Sequence, residues 1–167
     1  HYVGRGGISS FAISAVDIAL WDLRGKKNNK SLLTMAGGNN VSCKAYRGGI
    51  DLGYNQTKLV DSVSSYLDEG FNAVKIKVGH PDLSTDISRV QAVRHAIGPE
   101  TVFMVDANYS YSIKQAINAA KRFEDYNVYW FEEPIIPDDF KGYAEVSKSI
   151  NIPLAMGENL HTEQEFL

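Results

Sequence analysis

Apolar residues recur at two different periods along this chain, and the change of period divides it. From Phe11 to Leu23 the residues Ile13, Val16, Leu20 and Leu23 lie three or four apart. That spacing predicts a helix, with Ser9 or Ser10 as its cap and Gly25 as its stop. After a polar stretch from Lys26 to Lys30, Leu32, Leu33 and Met35 predict a short second helix ending at Gly37 and Gly38. From Val41 the pattern becomes a repeating unit of one strand and one helix. A strand over 42–46 precedes a helical stripe of Leu59, Val63, Tyr66 and Leu67 that stops at Gly70.

Strand 73–78 then precedes a helix carrying Ile87, Val90, Val93 and Ile97, and strand 102–105 precedes one carrying Ile113, Ala116, Ile117, Ala120 and Phe123. Strand 128–131 leads to a helix with Tyr143, Val146 and Ile150. Strand 152–156 leads to Thr162-Glu163-Gln164-Glu165, whose Thr-x-x-Glu spacing predicts a capping box and one more helix. Alternation of this kind gives an α/β fold with a parallel sheet, either doubly wound or closed into a barrel. Periodicity does not choose between them. A complete eight-unit barrel needs about 250 residues, so a barrel here is a partial one of five units. The organisation expected is a helical segment over 1–40 followed by barrel units over 41–167.

Composition narrows the function classes. The 167 residues are 44% hydrophobic and 22% charged, which suits a globular chain with one core of moderate size. A net charge of −3 with no long basic run gives no reason to expect nucleic acid or a membrane as partner, and leaves a small molecule. The single cysteine, Cys43, excludes an internal disulfide and a cysteine-rich zinc site, and favours a reducing compartment, the cytoplasm. No apolar run is long enough to span a bilayer.

The candidate chemistry sits at the strand ends: Lys75 and Lys77, then Asp106 and Asn108, then Glu132, then Glu158. Each successive strand delivers charge to one rim, about one β/α unit apart, and the carboxyl ends of parallel strands are where such folds bind ligands. Residues two apart on a strand share a face, so Lys75 pairs with Lys77 and Asp106 with Asn108, while Glu133 points opposite to Glu132 and serves structural pairing. Three carboxylates at one point repel unless a cation holds them, and an all-oxygen set suits Mg²⁺. The plain alternatives are helix caps, solvated loop residues, and an edge strand guarded by lysines. The histidines (His1, His80, His95 and His161) have no metal spacing, and His161 reads as a solvated loop residue.

The motifs Lys75-Ile76-Lys77, Val105-Asp106-Ala107-Asn108, Phe131-Glu132-Glu133-Pro134 and Gly157-Glu158-Asn159 resemble the successive strand-end motifs of the mandelate racemase branch of the enolase superfamily. The helix from Ala15 to Lys26 is similar to the one that family places before its barrel; Ser31 departs from a common proline. The resemblance runs nearly the whole chain. It implies a modified (β/α)₇β barrel, here its first five units, preceded by a helix that links to an α+β capping domain. It implies Asp106, Glu132 and Glu158 as Mg²⁺ ligands, Lys77 as general base, Lys75 on the substrate carboxylate, and Asn108 against the substrate or metal waters. Arg47, at the end of the first strand, contacts an anionic or polyhydroxylated substrate or makes a surface salt bridge. The reaction implied is removal of the proton α to a carboxylate through an enediolate, by a Lys-or-His base with Mg²⁺ as this superfamily works. Sugar-acid dehydration is expected, with racemisation or epimerisation of a 2-hydroxy acid as the alternative. The full-length protein is expected to be a homo-oligomer. In that branch a second, Asp-His pair lies beyond this chain, so the 167 residues alone are expected to be inactive.

Overall fold

The structure, a computed structural model, describes residues 6–39 and 42–166. The chain divides into two compact units: His1–Lys44 with Gly157–Leu167, and Ala45–Met156. Residues 40 and 41, where the pattern predicts the division, lie outside the described residues, as does His1.

The first unit carries helix α1 (Gly7–Asn28) and the short α2 (Leu32–Met35). The predicted stop at Gly25 is wrong. The helix runs through it to Asn29, whose left-handed backbone (φ 49°) closes the last turn and whose N–H bonds back to Gly25 and Lys26 carbonyls. Gly25 has another duty: a Cβ there would lie 2.9 Å from the Lys30 carbonyl oxygen, where the chain folds back. Ser10 does not cap by position, since Gly6 is the N-cap, but its Oγ accepts from Gly6 N–H at 2.7 Å. Ser31 does cap α2, accepting from Thr34 N–H at 3.2 Å. The predicted helix after Thr162 is only a 3₁₀ turn over Glu163–Glu165. Thr162 makes no side-chain cap; Glu165 instead accepts from His161 N–H at 2.6 Å.

The second unit holds β1 (Arg47–Gly48), α3 (Gln56–Asp68), β2 (Ala73–Lys77), α4 (Leu83–Ile97), β3 (Val102–Asp106), α5 (Ile113–Phe123), β4 (Phe131–Glu132), α6 (Phe140–Ser149) and β5 (Leu154–Ala155). The strands form one parallel sheet in the order β1-β2-β3-β4-β5. A doubly wound sheet reverses its order at a switch point. Unbroken sequential order with right-handed crossovers puts every helix on one face. That is the winding of a barrel over its first five strands, and it leaves the other face for chemistry.

Burial records the same two faces. Val74, Ile76, Phe103, Val105 and Phe131 are fully buried beside Leu59 and Val63 of α3, Val90 and Val93 of α4, Ala116, Ala120 and Phe123 of α5, and Val146 of α6. The alternate residues Lys75 and Lys77 are only half-buried. Ser112 and Gln115 form a reciprocal capping box that opens α5. No described helix is long and apolar enough to cross a membrane.

Candidate metal and proton-transfer site

Parallel register aligns Lys75 with Met104, Lys77 with Asp106, and Asp106 with Glu132. Strand alternation then turns Lys75, Lys77, Asp106 and Glu132 to the face away from the helices. There they interlock. Lys77 Nζ lies 2.6 Å from Asp106 Oδ2, and Lys75 Nζ lies 2.7 Å from Glu132 Oε2 and 3.3 Å from Asp106 Oδ2.

Electrostatics follows the pairing. Burial opposes the charge on Lys75, but its hydrogen bond to Glu132 and the attraction of Glu132 and Asp106 outweigh it, so its pKa is raised. Burial likewise opposes ionisation of Asp106. Hydrogen bonds from Lys77 Nζ and Asn108 N–H, with the charges of both lysines, hold its carboxyl below the usual range.

Two aromatic residues unassigned in the sequence complete this face. Trp130 Nε1 donates to Glu132 Oε2 at 3.2 Å, and Tyr46 packs edge-on to Trp130 at 5.6 Å between ring centres. Trp130 was readable in principle, because it stands two residues before Glu132 on one strand face.

Three expected positions come out differently. Arg47 pairs with Val74, whose side chain is under the helices, and its guanidinium lies 5.3 Å from the Tyr66 ring and 5.9 Å from the Phe71 ring. It is therefore turned to the helix side and not toward Lys75. Asn108 does not continue the face of Asp106. The strand ends at Asp106, Asn108 adopts φ 41°, and its backbone N–H caps Asp106 Oδ1 at 3.0 Å. Glu158 lies exposed in the turn Gly157–Leu160, which belongs to the first unit. Among the described residues no three Asp, Glu, His or Cys side chains are placed to hold a metal ion. Asp106 and Glu132 are the carboxylates gathered on the sheet face. Glu133 turns away as its neighbour's opposite: it is buried, has φ 38°, and its charge acts on Tyr143 of α6.

The donor chemistry suits a hard divalent cation. Two carboxylates share one ammonium and no thiol or imidazole joins them, so the face already requires positive charge and offers only oxygen. Backbone strain collects at the same rim, where Asn108, Tyr109 and Glu133 all have positive φ. Such conformations persist at sites where surrounding structure enforces them.

Comparison with known proteins agrees with the fold. Residues 58–167 match the family described as "Enolase C-terminal domain-like", and residues 3–37 match the N-terminal domain of mandelate racemase / muconate lactonizing enzyme. The chain is 44% identical to the 3,6-anhydro-alpha-L-galactonate cycloisomerase of Streptomyces coelicolor over 99% of its own length and 46% of that protein's. It superimposes with a TM-score of 0.94 and 44% identity on a racemase from Streptomyces coelicolor A3(2) with bound magnesium, covering 99% of this chain and 46% of that one. L-Talarate dehydratase from Polaromonas sp. JS666, complexed with Mg and L-glucarate, gives a TM-score of 0.88 at 36% identity, covering 98% of this chain and 46% of that one. The chain thus spans about half the length of these relatives. With two family domains matched in order and lysines and carboxylates interlocked on the open face of a sequentially wound sheet, the chain belongs to the mandelate racemase/muconate lactonizing enzyme family of the enolase superfamily.

Proposed function

We propose that this chain supplies the metal-binding and base-bearing half of a Mg²⁺-dependent enzyme that removes the proton α to the carboxylate of a sugar acid. One observation carries the reading: Lys75, Lys77, Asp106 and Glu132 interlock on one face at the ends of adjacent strands. Asp106 and Glu132 would hold the ion. Magnesium, when bound, supplies the positive charge that these carboxylates here take from two lysines, and it polarises the substrate carboxylate. Lys77 accepts the α-proton on Nζ. The electron pair of the broken C–H bond moves into the carboxylate as an enediolate, and the Lys75 ammonium stabilises the charge developing there. A positioned base contributes roughly 10²–10⁴-fold, about 3–5 kcal/mol. Charge stabilisation must therefore provide most of the remainder.

The similarity to a cycloisomerase and a dehydratase named for sugar acids supports acid-sugar chemistry over a 2-hydroxy acid racemisation. Within that chemistry, the enediolate electron pair forms a C=C bond as the β C–O bond breaks, and the departing hydroxyl takes a proton from a general acid and leaves as water, which is dehydration. Activity belongs to the longer enzyme, because the chain covers less than half of these relatives. In the protein carrying this chain, Lys77→Ala is expected to abolish exchange of the α-proton of L-glucarate or 3,6-anhydro-L-galactonate with D₂O in the presence of Mg²⁺, followed by NMR. Undiminished exchange in that variant removes Lys77 as the base.

A further inference from the structure

At Lys77 the sheet loses a neighbour. β1 pairs with β2 only at Val74 and Lys75, so the Lys77 backbone reaches the rim with no strand on that side, while its other side stays paired with Asp106 of β3. A side chain replaces the missing strand. Asp51, in the loop after β1, accepts from Lys77 N–H through Oδ1 at 2.9 Å. Arg89, from the middle of α4, donates through one terminal nitrogen to the same Asp51 Oδ1 at 3.0 Å, to the Asp51 carbonyl at 2.9 Å, and to the Lys77 carbonyl at 3.3 Å. Its other terminal nitrogen donates to the Tyr54 carbonyl at 2.7 Å. Both side chains are buried, at 4% exposure each, so the pair is shielded from solvent.

The guanidinium gives up something for this arrangement. Its Nε is a buried polar atom with no hydrogen-bond partner among the described residues. A buried orphan donor is unfavourable, and it is tolerated where the position of the other contacts matters more. The chain just beyond Lys77 is fixed as well. Gly79 and His80 donate their backbone N–H groups to Asp86 Oδ2 at 3.0 and 2.9 Å. The peptide that carries the amine is thus held on both sides of the strand end.

We infer that Asp51 and Arg89 are positioning residues for the proton transfer: they take the place of the absent strand partner and fix the Lys77 backbone so that its amine is aimed along the sheet face. The inference rests on Lys77 acting as the base. A shift of about 1 Å in a reacting group lowers a rate by as much as about a hundredfold.

NMR of the labelled protein tests the clamp without a substrate. In Asp51→Ala, the Lys77 amide is expected to exchange with D₂O at least about tenfold faster, while Val78, whose N–H is held by the Asp106 carbonyl at 2.9 Å, keeps its rate. The Lys77 Cε resonance is expected to move in Asp51→Ala and to return in Asp51→Asn, whose amide oxygen still accepts from Lys77 N–H. A Lys77 amide that stays protected, or a Cε resonance that does not move, overturns the inference. If Asp51→Ala does not fold, Arg89→Lys keeps the charge but cannot reach Asp51 and Lys77 together, and an unmoved Cε resonance there also overturns it. In turnover of L-glucarate with Mg²⁺, Asp51→Ala is expected to lower kcat at least about tenfold with KM within about threefold. A Lys77→Ala enzyme with full exchange sinks the base reading alone, whereas an inert Lys77→Ala beside an Asp51→Ala of unchanged kcat sinks the clamp alone.

Discussion

Asp86 is fully buried and accepts four hydrogen bonds: Gly79 N–H at 3.0 Å, His80 N–H at 2.9 Å, His80 Nδ1 at 2.7 Å and Tyr111 O–H at 2.6 Å. Burial first, and then the bond to this carboxylate, push the Tyr111 phenol well above its ordinary value of 10.0. Burial and the charge of Glu133 do the same to Tyr143, which donates to the Ile135 carbonyl at 2.8 Å. Both phenols stay protonated in the folded chain after they ionise in the unfolded one. Their contribution to stability is therefore complete below about pH 10 and declines as pH rises above it. The urea midpoint is expected to fall steeply above about pH 10, and more gently in Tyr111→Phe. That variant is also expected to lose about 1–3 kcal/mol at neutral pH, since a buried acceptor is left short of a donor. Equal alkaline slopes in the two proteins contradict this.

At the scale of elements, glycine in a helix interior ordinarily costs about 0.5–1 kcal/mol relative to alanine. Gly25 in α1 reverses that expectation. Its added Cβ meets the Lys30 carbonyl oxygen at 2.9 Å, a backbone atom that moves only with the turn into α2. Gly25→Ala is expected to destabilise the α1–α2 junction by about 1 kcal/mol or more, read as faster amide exchange in α2; a slowed exchange refutes it. The sequence hid this because it shows a glycine and not the close approach. Elsewhere the elements were legible to the extent that one face governs them. Apolar stripes located α3 to α6, while strand ends shifted because a ladder needs a partner. Residues 128–131 do run beside β3, with Tyr129 N–H on the Phe103 carbonyl at 2.7 Å, yet the regular pairing with β3 is confined to Phe131 and Glu132. Period two put Lys75 and Lys77 on one face of their strand and set Glu132 opposite to Glu133, and the spacing of the units brought Asp106 and Glu132 to the same rim. That period misplaced Asn108, which lies past the strand end, and it gave no parity for Arg47, whose side depends on a register with Val74 that no local pattern reveals. Asp51 and Arg89 were not legible at all, because a loop residue and a mid-helix residue meet only through the tertiary fold.

At the scale of the whole molecule, the sheet has two edges, β1 and β5, with backbone groups that no further strand of the described residues takes up. Such edges template association unless they are covered. A second apolar surface adds to them. Along α1 the side chains of Ile8, Phe11, Ile13, Val16, Ile18, Leu20 and Leu23 are each more than half exposed, although Ile13, Val16, Leu20 and Leu23 among them have the spacing of a helix with a core to face. Exposed apolar area of this kind marks an interaction surface or an aggregation liability. The site itself gives a parallel sign, since among the described residues only two carboxylates, Asp106 and Glu132, gather on the sheet face. The 167 residues expressed alone are therefore expected to self-associate and to lack α-proton exchange. Sedimentation velocity should show mass rising with concentration, and Leu20→Lys with Leu23→Lys on α1 should reduce it. A monodisperse, catalytically competent monomer would show instead that the edges and the helix face are closed by the chain itself.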